Sequence, residues 1–130
     1  MFPIATIEGG ITEHQSPDVC LIKPVGIPIP FPNIAALPLA TGFIANVLVQ
    51  MMPTVVLTSS IANSTGDEPG TLGGVVSGKY TKKSAFVQAS SKVFAAGVPV
   101  VFLTAATTQN NANTDGTVKV VANTTVFTAP

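Results

Sequence analysis

The residues best suited to chemistry are His14, Cys20 and the adjacent carboxylates Asp67 and Glu68. His14 and Cys20 are each the sole residue of their type. A closed zinc site takes four ligands, usually Cys or His, so these two leave half a tetrahedron unfilled. No cofactor is therefore expected, and zinc has only His14 and Cys20 as candidate ligands. A Cys-His nucleophilic pair would need a third, orienting residue, and the spacing nominates none. Cys20, following Val19, reads instead as a small buried hydrophobe. Acid/base catalysis requires two carboxyls converging on one pocket with separated pKa values, whereas sequence neighbours such as Asp67 and Glu68 diverge. Their expected role is to cap a turn.

The stretch after them, STGDEPGTLGGVVSGK, is rich in glycine but carries no GxxxxGK[ST] phosphate loop, since Gly78-Lys79 is followed by Tyr80. Lys79, Lys82 and Lys83 form the one basic cluster and read as a solvated rim. Asn63-Ser64-Thr65 and Asn123-Thr124-Thr125 match the glycosylation acceptor pattern. With MFPIATIEGG lacking the basic and apolar regions of a signal peptide, both are read as Thr- and Ser-rich turns.

The elements that would position these residues are β-strands. NVLVQMMPTVVLT (Asn46 to Thr58) and KVFAAGVPVVFLT (Lys92 to Thr104) share Val47/Val93, Pro53/Pro99, Val55/Val101, Leu57/Leu103 and Thr58/Thr104, the mark of a repeated strand, turn and strand. TVKVVANTTVFTAP (Thr117 to Pro130) is a fainter third resemblance. Alternation predicts that Val100 to Leu103 is buried on both faces, and that Phe86 to Val93 is a half-exposed strand. QNNANTDG ends in the turn signal Asp115-Gly116. The one candidate helix, Ala35 to Ala45, is weakened by Pro38 and Gly42.

In KPVGIPIPFPN, Pro24, Pro28, Pro30 and Pro32 rule out a helix or a central strand, because each fixes φ and removes a backbone donor. Ile27, Ile29 and Phe31 alternate with the prolines. The segment reads as an extended brace on a flank, its apolar side chains forming one edge of the core. The alternative, a polyproline ligand, would leave those side chains in water.

A chain of 130 residues fits one domain, 1–130, able to bury about 65% of its extended surface. Charged residues make up 9% against roughly the 25% usual for a soluble domain. Six lysines balance six acids and arginine is absent, which argues against nucleic-acid binding. The apolar stretch from Ile34 to Leu57 is interrupted by Pro38, Gly42, Asn46, Gln50 and Pro53, so it does not read as a membrane span. The expected fold is all-β: a small conical or pyramidal domain of short strands and hairpins, with pseudo-threefold internal repetition and a Pro-rich extended segment.

PDVCLIKPVGIPIPFPNIA (Pro17 to Ala35), STGDEPGTLGGVVSG (Ser64 to Gly78), GVPVVFLTAATTQNNAN (Gly97 to Asn113) and the closing TVFTAP together resemble the PAAR-like spike-tip proteins of contractile injection systems, either type VI secretion machines or phage-tail-like particles. The resemblance implies a small β-rich cone that caps and sharpens a trimeric β-helical spike for membrane puncture. It implies a trimeric spike protein as partner, transient contact with a target membrane and no nucleic acid. It also implies synthesis in the cytoplasm without a signal peptide, followed by assembly at the tip of a particle. On this resemblance Cys20, Pro24, Pro28, Pro30, Pro32, Asn33, Gly66, Asp67, Pro69, Gly70, Gly73 and Gly74 are structural signatures. Many such tips hold a metal near the apex with several histidines and a cysteine. This chain has His14 alone, and Gln109 stands where a histidine often occurs.

A structural, non-enzymatic tip is thus the leading expectation. A small effector enzyme or toxin module delivered by the same machine would require Asp67, Glu68, His14 or Cys20 to converge in a pocket. A stand-alone adhesion domain would require an aromatic platform, yet Trp is absent and Tyr80 is the sole tyrosine.

Overall fold

The computed structural model describes residues 2–23 and 26–129, so Pro24 of the proline-rich stretch lies outside the described residues. The first half of the chain supplies β1 (Phe2–Pro3), β2 (Gly10–His14), β3 (Asp18–Ile22), β4 (Ile27–Phe31), β5 (Ile34–Ala36), β6 (Ala40–Thr41), β7 (Ile44–Val49) and β8 (Met52–Thr54). The second half supplies β9 (Ser60–Ile61), β10 (Gly73–Gly74), β11 (Ser84–Phe86), β12 (Phe94–Ala95), β13 (Val98–Pro99), β14 (Ala106–Gln109), β15 (Thr114–Val121) and β16 (Phe127–Thr128). The fold is all-β, as the β-branched runs and closely spaced turns predict.

The proposed helix over Ala35 to Ala45 does not form. One 3-10 turn, Leu37–Leu39, interrupts strands there, because Pro38 removes a backbone donor and Gly42 adopts a φ of 76°. Among the described residues no helix is long and apolar enough to cross a membrane.

The main sheet runs β5-β2-β15-β14-β11-β9-β6 and is antiparallel at each pairing. Its two edge strands, β5 and β6, are joined by the single 3-10 turn, so the sheet curls until it nearly closes. A smaller sheet, β10-β3-β4, carries Cys20, and three two-stranded units complete the fold: β7-β8, β12-β13 and β1-β16.

The two repeated sequences form the first two of those units as hairpins, with Leu48 opposite Pro53 and Phe94 opposite Pro99. The third unit is assembled from distant parts of the chain, with Phe127 opposite Pro3. Each hairpin leads into a short irregular stretch, and the three stretches interlock in a closed cycle of backbone hydrogen bonds. Ala5 N–H donates to Val101 O (2.8 Å), Val101 N–H to Val55 O (3.1 Å) and Val55 N–H to Ala5 O (3.1 Å). A second cycle lies beside it: Ile7 N–H to Pro53 O (3.2 Å), Leu57 N–H to Pro99 O (2.9 Å) and Leu103 N–H to Pro3 O (2.9 Å). Ala5, Val55 and Val101 are fully buried at the centre of this ring and belong to the main core with Leu37, Ile61, Phe86, Phe102 and Val118. The three stretches bring their backbones within hydrogen-bonding distance of one another, and the cycles leave no open strand edge at the centre.

Several expectations require correction. The strand predicted for Phe86 to Val93 stops at Phe86, and Val87 is exposed. Val87 N–H still donates to Ala106 O, but Ser90 then turns its hydroxyl back onto Lys92 and Val93 N–H and competes with a ladder. The turn signalled by Asp115-Gly116 falls instead at Asn110, Asn111 and Ala112, all at positive φ. Gly116 lies inside β15, where a side chain would collide with Glu13 O on the neighbouring strand. Ile27, Ile29 and Phe31 belong to neither core cluster, and Ile27 is 48% exposed. Their strand β4 is the outer edge of the smaller sheet, the location where proline's missing N–H costs no ladder bond.

Candidate functional site

Cys20 is central to a sealed polar cluster. It lies on β3 with Asp18 two residues away on the same face, since strand side chains alternate with period two. The Gly-rich loop folds over that face. Gly73 and Gly74 pair with Leu21 and Cys20, and a side chain at Gly70 would overlap Cys20, while one at Gly74 would overlap Asn113. These close approaches account for Gly70 and Gly74. They also deliver Asp67, fully buried, to the other side of the thiol.

The ligand atoms of Asp18, Cys20 and Asp67 lie within 4.8 Å of one another, the one group of this kind found among the described residues. Asn33, Asn110 and Asn113 surround them. Asn33 Nδ2 donates to Asp18 Oδ2 (3.1 Å), Asp67 Oδ2 (3.3 Å) and Ser64 Oγ (2.9 Å). Asn110 Nδ2 donates to Asp18 Oδ1 (3.1 Å) and Lys79 O (2.7 Å). Asn113 Nδ2 donates to Asp18 Oδ1 and to Val19 O (3.0 Å). Cys20 Sγ donates to Asp18 Oδ1 (3.6 Å) and Asp67 Oδ2 (3.8 Å), and Thr81 N–H donates to Asp67 Oδ1 (3.0 Å). Gln109 extends the network, giving Nε2 to Asn33 Oδ1 (3.0 Å) and accepting from Ser84 and Thr107. Among the described residues no buried side-chain polar atom lacks a partner.

Burial pushes the Cys20 thiol up to about 12, and the charges of Asp18 and Asp67 add to the effect. Burial likewise pushes Asp67 up to about 7, reinforced by its hydrogen bond to Asp18 and then by the Asp18 charge. A thiol held this way stays protonated near neutral pH and is a poor nucleophile. Neither of two surface cavities offers the cluster a substrate. One of about 340 Å³ is lined by residues including Pro3, Leu103, Lys119 and Phe127, the other by Lys83, Ala85, Thr108, Asn111 and Ala112.

The candidate ligands His14 and Cys20 do not come together. His14 ends β2, and its Nδ1 accepts the Asn33 N–H (3.1 Å). The pairing of Asp67 with Glu68 as turn caps holds for Glu68 alone, whose Oε1 accepts Gly66 N–H (2.9 Å). Asp67 is an interior group of the cluster because the glycines on both sides let the loop turn inward. Sequence reasoning missed Asp18, Asn110 and Asn113. The signal was the period-two spacing of Asp18 and Cys20, which puts a carboxylate beside the sulfur. Of the other signature residues, Asn33, Gly70, Gly73 and Gly74 are buried at the cluster, while Pro28, Pro30, Pro32 and Pro69 are exposed around it. Gly66 has a φ of 112° and packs against Pro32.

The family model for the toxin PAAR-like domain matches residues 12–116. The chain belongs to that family. This PAAR-like chain is accordingly a structural module of a non-catalytic family, associated with injection-system spikes. No curated protein and no solved structure matches it.

The metal held by many tips of this kind can be tested against the donors of this PAAR-like chain. Asp18, Cys20 and Asp67 supply three candidate donors. Zinc requires a thiolate and free lone pairs. Here the thiol is a hydrogen-bond donor, and the carboxylate oxygens already accept from side-chain amides, from the thiol or from backbone N–H. The orientation of two amides is fixed by their far ends: Asn113 Oδ1 accepts Val76 and Ser77 N–H, and Asn110 Oδ1 accepts Lys82 N–H. Their NH2 groups must therefore face the carboxylates. A donor-lined interior of this kind does not fit a cation.

Proposed function

We propose that this PAAR-like chain is a tip that caps a trimeric spike in a contractile injection machine, and that its interlocked hairpins form a pseudo-threefold platform for that partner. The observation that carries the reading is the pair of closed hydrogen-bond cycles, in which each of three stretches donates to the next in the same register. A single chain capping a homotrimer has to offer three similar surfaces, and these cycles supply a local threefold pattern. The side chains follow it. Leu48, Phe94 and Phe127 occupy the same place in their two-stranded units, each opposite a proline, and are 56%, 54% and 42% exposed.

Large apolar side chains left in water at three matched positions suit a partner that covers all three. A specific, lasting contact needs roughly 1,000 Å² or more of complementary area, which the three two-stranded units can share. On this reading the sealed cluster points away from the spike, the single domain spans residues 1–130, and the protein travels from the cytoplasm on an assembled particle to meet a target membrane. A sparsely charged surface with no net charge suits it to bilayers of differing composition.

The test is binding of the purified chain to its trimeric spike, measured for wild type and for Leu48→Asp, Phe94→Asp and Phe127→Asp singly and together. Each single change is expected to weaken binding, and the triple change to abolish it, with the melting temperature little altered. A triple variant that folds and binds as tightly as wild type rejects the platform. Density for the chain away from the spike apex in an assembled particle rejects the tip itself.

A further inference from the structure

We propose that the centre formed by Asp18, Cys20 and Asp67 works without a metal, as a clasp in which the NH2 groups of Asn33, Asn110 and Asn113 take the positions that a cation would hold. The mechanical task of a structural metal is to bind several chain segments to one point. The amides perform it here. Asp18 on β3 is joined by Asn33 from the stretch before β5, by Asn110 and Asn113 from the loop between β14 and β15, and by the Cys20 thiol beside it. Asp67 draws in the Gly-rich loop and, through Thr81 N–H, the segment before β11. Lys79 O and Val19 O accept the remaining amide hydrogens of Asn110 and Asn113.

Two independent features set the direction of these bonds. At the outer ends, backbone N–H groups that can only donate hold Asn110 and Asn113 with their oxygens away from the centre. At the inner ends, carboxylate oxygens present lone pairs to the amides. An ion entering the centre would meet partial positive charge from three directions and would have to strip hydrogen bonds that have no other partner. Exclusion therefore rests on the amides more than on a shortage of donors. One consequence is specific: replacing an amide by a carboxylate should turn the clasp into a cation site.

The experiment uses the full chain, wild type and Asn110→Asp, with Asn113→Asp as the second variant should the first fail to fold. Zinc content is measured after dialysis, and melting is followed in EDTA and in added zinc. Wild type is expected to carry far less than one zinc per chain and to melt identically in both buffers. The aspartate variant is expected to melt lower in EDTA and to recover when zinc is added. Replacing zinc by cadmium gives a second readout, since a thiolate ligand produces a sulfur-to-cadmium absorption band that wild type should lack. Wild-type protein that retains about one zinc per chain, or that melts lower in EDTA, overturns the proposal. A folded aspartate variant no more responsive to zinc than wild type also overturns it, because the amide would then not be what excludes the ion.

Discussion

The substitution Asp67→Asn is expected to abolish most of a pH dependence that runs opposite to that of an ordinary carboxylate. In the folded chain burial pushes Asp67 up to about 7, well above the ordinary carboxylate range. A group raised in the folded state contributes stability that is complete below its unfolded value and is lost as pH climbs through its folded value. Between about pH 4 and 7 this contribution falls by as much as about 1.4 kcal/mol per pH unit, near 4 kcal/mol across the window as an upper bound. For a domain of this size that corresponds to a fall in melting temperature on the order of 10 °C between pH 5 and 8. Asparagine offers an uncharged NH2 where protonated Asp67 offers a hydroxyl to Asp18, so the variant should hold its acid-side stability into alkaline solution. Asp18 and Cys20 face Asp67 directly, and His14 is joined to the same network through Asn33. The decisive measurement is consequently the difference between the two melting-temperature profiles from pH 4.5 to 8.5. Parallel profiles would refute the argument, since the slope would then belong to other groups.

Replacing Pro28, Pro30 and Pro32 together by Gly should destabilise the chain by about 1 to 3 kcal/mol in urea titration, mainly by freeing the unfolded state, and should expose N–H groups on β4 that promote self-association visible by light scattering. Unchanged stability with lost spike binding would make the run a docking element. Gly74→Ala should cost more than about 2 kcal/mol by the same titration, because the new methyl group overlaps Asn113 and dislodges its amide from Asp18. The Cys20 thiol, fully buried and pushed up to about 12, should resist a thiol-reactive disulfide at pH 8 and react only on unfolding. Rapid labelling of the native chain would contradict its placement.

The fold class and the two hairpin repeats were legible because β-branched alternation and proline spacing are local signals. The third hairpin was faint because its halves stand at opposite ends of the chain: the FPIATIE that matches MPTVVLT and VPVVFLT begins at Phe2, while its partner strand is Phe127–Thr128. The period-two spacing of Asp18 and Cys20 was readable. The convergence of Asp67, Asn110 and Asn113 on them was not, since it arises from glycine loops whose path depends on tertiary contact. Proline's confinement to an edge strand followed from its chemistry, whereas the exposure of Ile27 depended on which face of that edge met the body.

The interlocked cycles also govern when this fold can exist. Ala5 waits for both Val55 and Val101, and Phe2 waits for Thr128, so no member of the ring is satisfied by its neighbours in sequence. The stretch from Pro3 to Ile7 precedes both of its partner stretches along the chain and is completed only once they are in place. Such a topology places loop closure before reward and makes folding slow relative to chains built on local contacts. By the same logic a partial ring has little stability of its own, so the domain should come apart as a unit and resist fraying from any single hairpin.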